Sequence, residues 1–205
     1  MKQMAARRAQ FAVFVIALCF GFLAPYKGLE TALDAAVLAG PEVHLVVAGG
    51  EHPRLVALGD DYAARLRTRY EDTAQFSGYV DDKDVAGWFH AADVALFPYP
   101  APHAASGAFA LALAYRTAAL LSPRLAASTG AERLLSCRCE PVVLAARLRE
   151  LARDRARLAG LQSATSALAE DRSWPAVAAT HQRIYEEVAH APSSARRRLR
   201  ATQPR

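Results

Sequence analysis

The residues in this sequence best suited to chemistry are those that could bind a phosphate. Lys27 stands in the segment 21–28, between a predicted strand and a predicted helix. A lysine at the beginning of a helix adds a full charge to the partial positive charge of the first-turn amides. The segment therefore suits an anion, and the alternative interpretation is a lysine in an ordinary surface turn.

A second segment of small residues offers similar chemistry. His103 and two alanines lead into Ser106 and Gly107, after a predicted strand and at the beginning of a predicted helix. Small side chains let a ligand approach the backbone, and the first-turn amides can donate hydrogen bonds to an anion. The alternative is that Ser106 only caps the helix and Gly107 only packs closely on the sheet.

Two glycine-containing turns follow other predicted strands. Gly49 and Gly50 allow a sharp turn beside a ligand, although they match neither a Walker loop nor the G-x-G-x-x-G dinucleotide pattern. Gly78 and Tyr79 follow the next predicted strand. All these turns are predicted at strand ends.

The elements that must position these residues alternate between strand and helix. Apolar runs predict strands at 11–20, 43–48, 74–77, 93–97 and 118–121. Apolar stripes of helical period predict helices at 27–39, 62–70, 83–92, 106–115, 142–158, 161–170 and 174–190, with a short one at 132–135. The 83–92 helix is expected to be capped by Asp81 or Asp82.

This alternation predicts an α/β fold with parallel strands joined by right-handed crossovers. We expect a single Rossmann-like, doubly wound parallel sheet of about six strands, with helices on both faces. Ligands of such sheets bind at the carboxyl ends of the strands. The turns described above are therefore expected to meet at one edge of the sheet.

The termini differ from the body of the chain. A basic extension is predicted at 1–10, a single domain at 11–190 and a basic, disordered tail at 191–205. The five arginines of the tail account for the whole net charge of +5. Contact of this tail with an anionic membrane or a nucleic acid is the alternative to simple solvation. The body has no basic, aromatic-laced face, so nucleic acid is not an expected partner.

Residues 11–24 allow two interpretations. They are apolar and follow a basic segment, as in a signal peptide or membrane anchor. They are also short for a membrane span and rich in β-branched and aromatic residues, which favours a buried strand. The three cysteines are too few for a disulfide framework, which favours a reducing, cytoplasmic location.

Several of these segments occur in an order found in a known family. The chain resembles the C-terminal, donor-binding domain of retaining GT-B glycosyltransferases of the group 1, or family 4-like, type. The resemblance covers residues 11–188, nearly all of the predicted domain. Its landmarks are the segments 21–28, 45–50, 76–80, 88–98 and 173–185.

The resemblance implies a function. In the family this half of the enzyme binds a nucleotide-sugar, and the sugar is transferred with retention of configuration and without a metal or other cofactor. The residues at positions matching Lys27, Ser106 and Gly107 contact the donor diphosphate, and the segment 78–80 lies near the base. The implied substrate-binding residues are Lys27, Gly28, Gly49, Gly50, Gly78, Tyr79, His103, Ser106 and Gly107; no catalytic residue is implied. Asp82 and Asp84 share the spacing of a metal-binding pair in GT-A enzymes, but acids are expected at a helix start.

The sequence also departs from the family. Phe22 stands where the family has an arginine, and His103 and Leu111 stand where many members have glutamates. A contact with a charged group is worth about 1.5–3 kcal/mol, so losing two could weaken donor binding by roughly a hundredfold or more. Only about ten residues precede the first predicted strand, whereas GT-B enzymes have an acceptor-binding domain there.

Three interpretations follow. The chain is a donor-binding subunit completed by a separate acceptor-binding chain, or a truncated, non-catalytic binding module, or a protein anchored by residues 1–24. Whether it is an enzyme by itself stays open, and we expect no transferase activity from the isolated chain. The expected location is cytoplasmic, with peripheral contact at the inner face of the membrane as an addition.

Overall fold

The computed structural model describes residues 14–101, 106–131 and 133–190. Within these ranges five strands form one sheet. They are β1 (Val15–Phe20), β2 (Val43–Ala48), β3 (Ala74–Gly78), β4 (Val94–Phe97) and β5 (Ala119–Leu121). The strand interpretation of the apolar N-terminal run is therefore confirmed for Val15–Phe20.

The sheet has the order β3-β2-β1-β4-β5, and every neighbouring pair is parallel. The chain winds outward from β1 to β3 on one side, then returns to β4 on the other side of β1. Right-handed crossovers in these two directions place helices on both faces. The predicted doubly wound sheet is confirmed, with five strands among the described residues instead of about six.

The strands are buried because they form the central layer of the fold. β1, β2, β4 and β5 consist almost entirely of buried apolar residues, as expected for parallel strands covered on both faces. β3 is the edge strand next to β2, and most of its residues are half-buried. The core thus lies on both sides of the β1–β2 and β1–β4 pairs.

Nine helices accompany the strands within the described ranges. They are α1 (Leu29–Ala39), α2 (Pro53–Ala57), α3 (Tyr62–Arg69), α4 (Asp82–Ala91), α5 (Gly107–Ala114), α6 (Pro123–Ser128), α7 (Pro141–Arg153), α8 (Arg155–Asp171) and α9 (Trp174–His190). Short 3₁₀ turns occur at Pro25–Lys27, Gly40–Glu42 and Arg133–Leu135. The last of these is the short helix expected at 132–135.

Three helical details differ from the prediction. The expected 142–158 helix ends at Arg153, because Asp154 is extended and its carboxylate accepts the Arg157 amide at 3.0 Å as the cap of α8. α2 and α6 were not predicted. Asp81 precedes α4 as expected, but its side chain makes no cap hydrogen bond; its carbonyl accepts the Asp84 amide at 2.9 Å.

The chain divides into two compact units, one ending at Ala167 and the other beginning at Leu168. The first contains the sheet, and the second contains the end of α8 and all of α9. Among the described residues, none of the helices combines the length and the apolar composition that a membrane span requires. The predicted terminal segments 1–10 and 191–205 lie outside the described residues.

Candidate functional site

The strand order reverses at β1, whose two neighbours β2 and β4 are reached in opposite directions along the sheet. The loops that leave β1 and β4 diverge at this point and open a crevice at the carboxyl edge. The segment with Lys27 follows β1, and Ser106 and Gly107 precede the helix after β4. The fold therefore brings the two predicted anion-binding segments to the same switch point.

Lys27 is buried, with only 7% of its surface exposed. Its ammonium donates a hydrogen bond to the carbonyl of Phe20 at 2.8 Å, at the end of β1. Burial is the main cause that lowers the pKa of Lys27 to about 8, and the nearby Cys19 thiol opposes the shift. The alternative interpretation, a lysine in an ordinary surface turn, is wrong, because the side chain folds from the 3₁₀ turn Pro25–Lys27 under the β1 loop.

Gly21 lies directly over this ammonium. A Cβ atom at Gly21 would lie 2.5 Å from Lys27 Nζ, and the backbone at Gly21 has a φ of +94°, which favours glycine. A side chain at position 21 would displace the ammonium, so only glycine allows Lys27 Nζ to lie here. Gly21 also lines a cavity at this edge of the sheet, so the ammonium lies directly beneath the backbone that borders that cavity.

The loops after β1 and β4 are packed together. A Cβ atom at Gly28 would lie 2.1 Å from the carbonyl oxygen of Pro98, so the backbones touch there. The next residue, Tyr99, is buried against Tyr26, with ring centroids 6.1 Å apart. Its hydroxyl lies 2.9 Å from Ser106 Oγ. This chain of contacts fixes Ser106 relative to the Lys27 loop.

Ser106 and Gly107 begin α5 as predicted. Ser106 Oγ accepts the amide of Phe109 at 3.2 Å, so this residue does cap the helix. Gly107 does not pack on the sheet, since a Cβ atom there would meet nothing within 4 Å. Gly107 is exposed at the first turn of α5, where the free amides of a helix can donate hydrogen bonds to an anion.

A cavity of about 390 Å³ extends across the carboxyl edge from these loops. Its lining includes Gly21 after β1 and Gly49 and Gly50 after β2, and the cavity continues to the loop after β3. Its lining residues are Phe20, Gly21, Phe22, Gly49, Gly50, Tyr79, Val80, Asp82, Val85, Leu111 and Tyr115. Its size falls in the range of small-molecule sites.

Some of the substrate-binding residues predicted from the sequence lie together at this cavity. Gly49, Gly50 and Tyr79 line the cavity, and Gly78 forms a bridge with Gly49 beside it. Lys27, Gly28, Ser106 and Gly107 are not among the residues that line it. Lys27 lies under Gly21, and Gly28 packs against the Pro98 carbonyl. His103 lies outside the described residues.

Other residues of the site were not predicted from the sequence. Tyr99 was not singled out, although the tyrosine between two prolines after β4 was a signal. Val85 and Tyr115 line the cavity but were assigned to helices only, and Asp82 was considered as a helix cap and as half of a metal-binding pair. Among the described residues, no group of three His, Cys, Asp or Glu side chains could hold a metal ion.

The site and the fold together define a class of protein. A single doubly wound sheet with its cavity at the switch point is the architecture of one half of a GT-B glycosyltransferase. A family profile described as glycosyl transferases group 1 matches residues 15–154, most of the chain. The chain belongs to the glycosyl transferases group 1 family.

Solved structures agree with this fold. The HepE protein of Anabaena, solved in complex with UDP and glucose, superposes with a TM-score of 0.70 at 20% identity, over 93% of this chain and 52% of HepE. Sucrose-phosphate synthase from Thermosynechococcus elongatus gives 0.69 at 22%, over 94% and 50%. The chain thus spans about half the length of these two proteins.

A third structure is itself a separate domain. The C-terminal domain of the group 1 glycosyl transferase LpcC from Francisella tularensis gives a TM-score of 0.61 at 16% identity, over 83% of this chain and 91% of that one. No match to a curated protein is found.

Proposed function

We propose that this chain is the donor-binding domain of a glycosyltransferase, and that it binds a nucleotide-sugar through its diphosphate at the β1–β4 switch point. The observation that carries the proposal is the buried ammonium of Lys27. Within the described residues its hydrogen-bond partner is the Phe20 carbonyl, although an ammonium has three donors. A diphosphate would supply the missing acceptors and the opposite charge.

The neighbouring elements support this position for the diphosphate. The open first turn of α5 offers amides, and contacts through Tyr99 hold that turn beside the Lys27 loop. HepE, which shares the fold, was solved with UDP and with UDP-glucose. The nucleoside would then occupy the cavity that runs from Gly21 toward Tyr79.

Transfer itself needs a second binding surface. We propose that the sugar faces outward from the switch point, toward an acceptor held by another domain or chain, and that transfer retains configuration. The Lys27 ammonium and the first-turn amides of α5 would compensate the charge of the diphosphate without a resident metal. The chain would thus provide donor binding, and the acceptor-binding part would complete the active site.

Calorimetric titration with UDP and with GDP, carried to millimolar concentration in the presence of EDTA, tests donor binding. We expect saturable binding of at least one of the two, and weaker binding of the matching nucleosides, which lack the diphosphate. If neither nucleotide binds, or if the nucleosides bind equally well, the proposed function is wrong.

Restoring a cation at Phe22 should strengthen binding. Phe22 lines the cavity with 40% of its surface exposed, at the position where the family carries an arginine. A guanidinium hydrogen-bonded to phosphate is worth about 1.5–3 kcal/mol, so we expect Phe22→Arg to bind UDP and GDP about tenfold or more tightly.

The matched variant for this test is Phe22→Gln, which removes the ring and adds a polar group without charge. The Phe22 ring also packs against the His52 ring, with ring centroids 5.8 Å apart, and both variants lose this contact equally. Equal affinities of the Arg and Gln variants, measured at low salt, would place the diphosphate away from Phe22.

A further inference from the structure

We propose that Asp82 makes the cavity selective for a guanine nucleotide. This inference rests on the proposed donor-binding function and adds the identity of the base. It uses the part of the cavity that lies farthest from the diphosphate position.

The cavity crosses the sheet edge from the end of β1 to the loop after β3. Its floor begins at Gly21, above the Lys27 ammonium, passes Gly49 and Gly50 at the end of β2, and ends at Tyr79 and Asp82. β1 and β3 are two strand spacings apart, a distance of about 10 Å. A nucleotide whose phosphates lie at β1 would therefore place its base between Tyr79 and Asp82.

The walls of this outer end are suited to a flat base. Tyr79 is 68% exposed, and its side chain is held against Gly50, where an added Cβ would lie 3.3 Å from Tyr79 Cβ. An exposed aromatic ring of this kind offers a surface on which a base can stack. Val80 and Val85 add apolar contacts. None of these three distinguishes one base from another.

Asp82 is the charged residue among those that line the cavity. Within the described part of the chain its carboxylate has no ion-pair or hydrogen-bond partner, whereas the neighbouring Asp81 lies 3.7 Å from Lys83. An ionised carboxylate only accepts hydrogen bonds. The base that fits this end must therefore present donors to Asp82.

Guanine is the base whose edge matches a carboxylate. Its N1–H and N2–H donors are adjacent and parallel, so they can reach both carboxylate oxygens together. Uracil presents one N–H between two carbonyl oxygens, which the carboxylate would repel. Adenine and cytosine each place a ring nitrogen acceptor beside their amino group. A bidentate contact with a base edge is worth about 1–3 kcal/mol of discrimination, or at least about fivefold in affinity.

Calorimetry with GDP, IDP and UDP tests this inference. IDP differs from GDP only by lacking the N2 amino group. We expect the wild-type protein to bind GDP at least about fivefold more tightly than IDP or UDP. In Asp82→Asn, whose amide places a donor against the base, the GDP-to-IDP ratio should fall to about one.

The matched control is Asp84→Asn, which removes the same charge from the same helical turn at a residue outside this cavity and should keep the GDP-to-IDP ratio. Wild-type affinities that are equal for the three nucleotides would overturn guanine selectivity and leave donor binding standing. An equal loss for all three in Asp82→Asn would assign the carboxylate to the ribose and also overturn the inference. Failure of every nucleotide to bind would refute the proposed function itself.

Discussion

Replacing Lys27 with methionine should weaken the binding of both UDP and GDP by tenfold or more. The two nucleotides share the diphosphate, so the loss should be equal for both. Methionine fills nearly the same space but has neither the charge nor the donors, and a hydrogen bond to a charged group is worth about 1.5–3 kcal/mol. Isothermal titration at pH 7 measures the change. The control is Lys83→Met, because Lys83 is exposed on α4, with 78% of its side chain accessible.

The same variant should not be less stable than the wild type at pH 7. Burial lowers the pKa of Lys27 from 10.5 to about 8, so holding the charge in the folded protein costs about 3 kcal/mol below pH 8. Between pH 8 and 10.5 the unfolded chain binds more protons, so the wild type gains stability as the pH rises. Losing the Phe20 hydrogen bond offsets part of the gain in the variant.

The pKa also gives the binding a pH dependence. Only the charged form of Lys27 attracts a diphosphate, so wild-type affinity should fall as the pH rises through about 8. The affinity of Lys27→Met should stay nearly constant between pH 7 and 9. A flat wild-type profile, or a variant that binds as tightly as the wild type, would remove Lys27 from the site.

Gly28→Ala should destabilise the domain by roughly 3 kcal/mol. The added Cβ would lie 2.1 Å from the Pro98 carbonyl oxygen, and the residue has a φ of +65°, which costs an L-residue about 1–2 kcal/mol by itself. The two site loops must then separate. Thermal unfolding should show a Tm lower by about 6–12 °C, as expected for a chain of this size.

Gly59→Ala is the matched control for this substitution. Gly59 has a φ of +69° in the turn after α2, where the Asp60 amide donates to the Leu55 carbonyl at 3.0 Å, but a Cβ there would meet nothing within 4 Å. Its Tm should fall by only about 2–8 °C, which measures the backbone cost without the contact. Equal losses in the two variants would mean that the contact between Gly28 and Pro98 contributes nothing to stability.

Much of the fold could be predicted because the apolar patterns in the sequence coincide with the strands and helices that the fold buries. β2 has its predicted bounds, since a strand covered on both faces is a continuous apolar run and Gly49 follows it. α9 also has its predicted bounds. The order of the segments 21–28, 45–50, 76–80, 88–98 and 173–185 was enough to predict the family.

Other features depend on contacts that a sequence pattern does not contain. The path of the backbone from Phe20 to Gly28 decides how exposed Lys27 is. Its position before a helix therefore predicted a cation near a phosphate but did not predict its burial. α2 and α6 are too short to show a helical period. The break at Asp154 carried a local signal, an aspartate able to cap a helix, but the apolar period continued across it.

An NMR titration of the uniformly ¹⁵N-labelled chain with GDP and with UDP tests the proposed donor site most directly. We expect the amides of Gly21, Phe22, Gly107 and Ala108 to shift with either nucleotide, because the diphosphate binds between the β1 loop and the first turn of α5. The shifts at these amides should be smaller in Lys27→Met. Shifts confined to another surface, or none at saturating nucleotide, would contradict a donor site at the β1–β4 switch point.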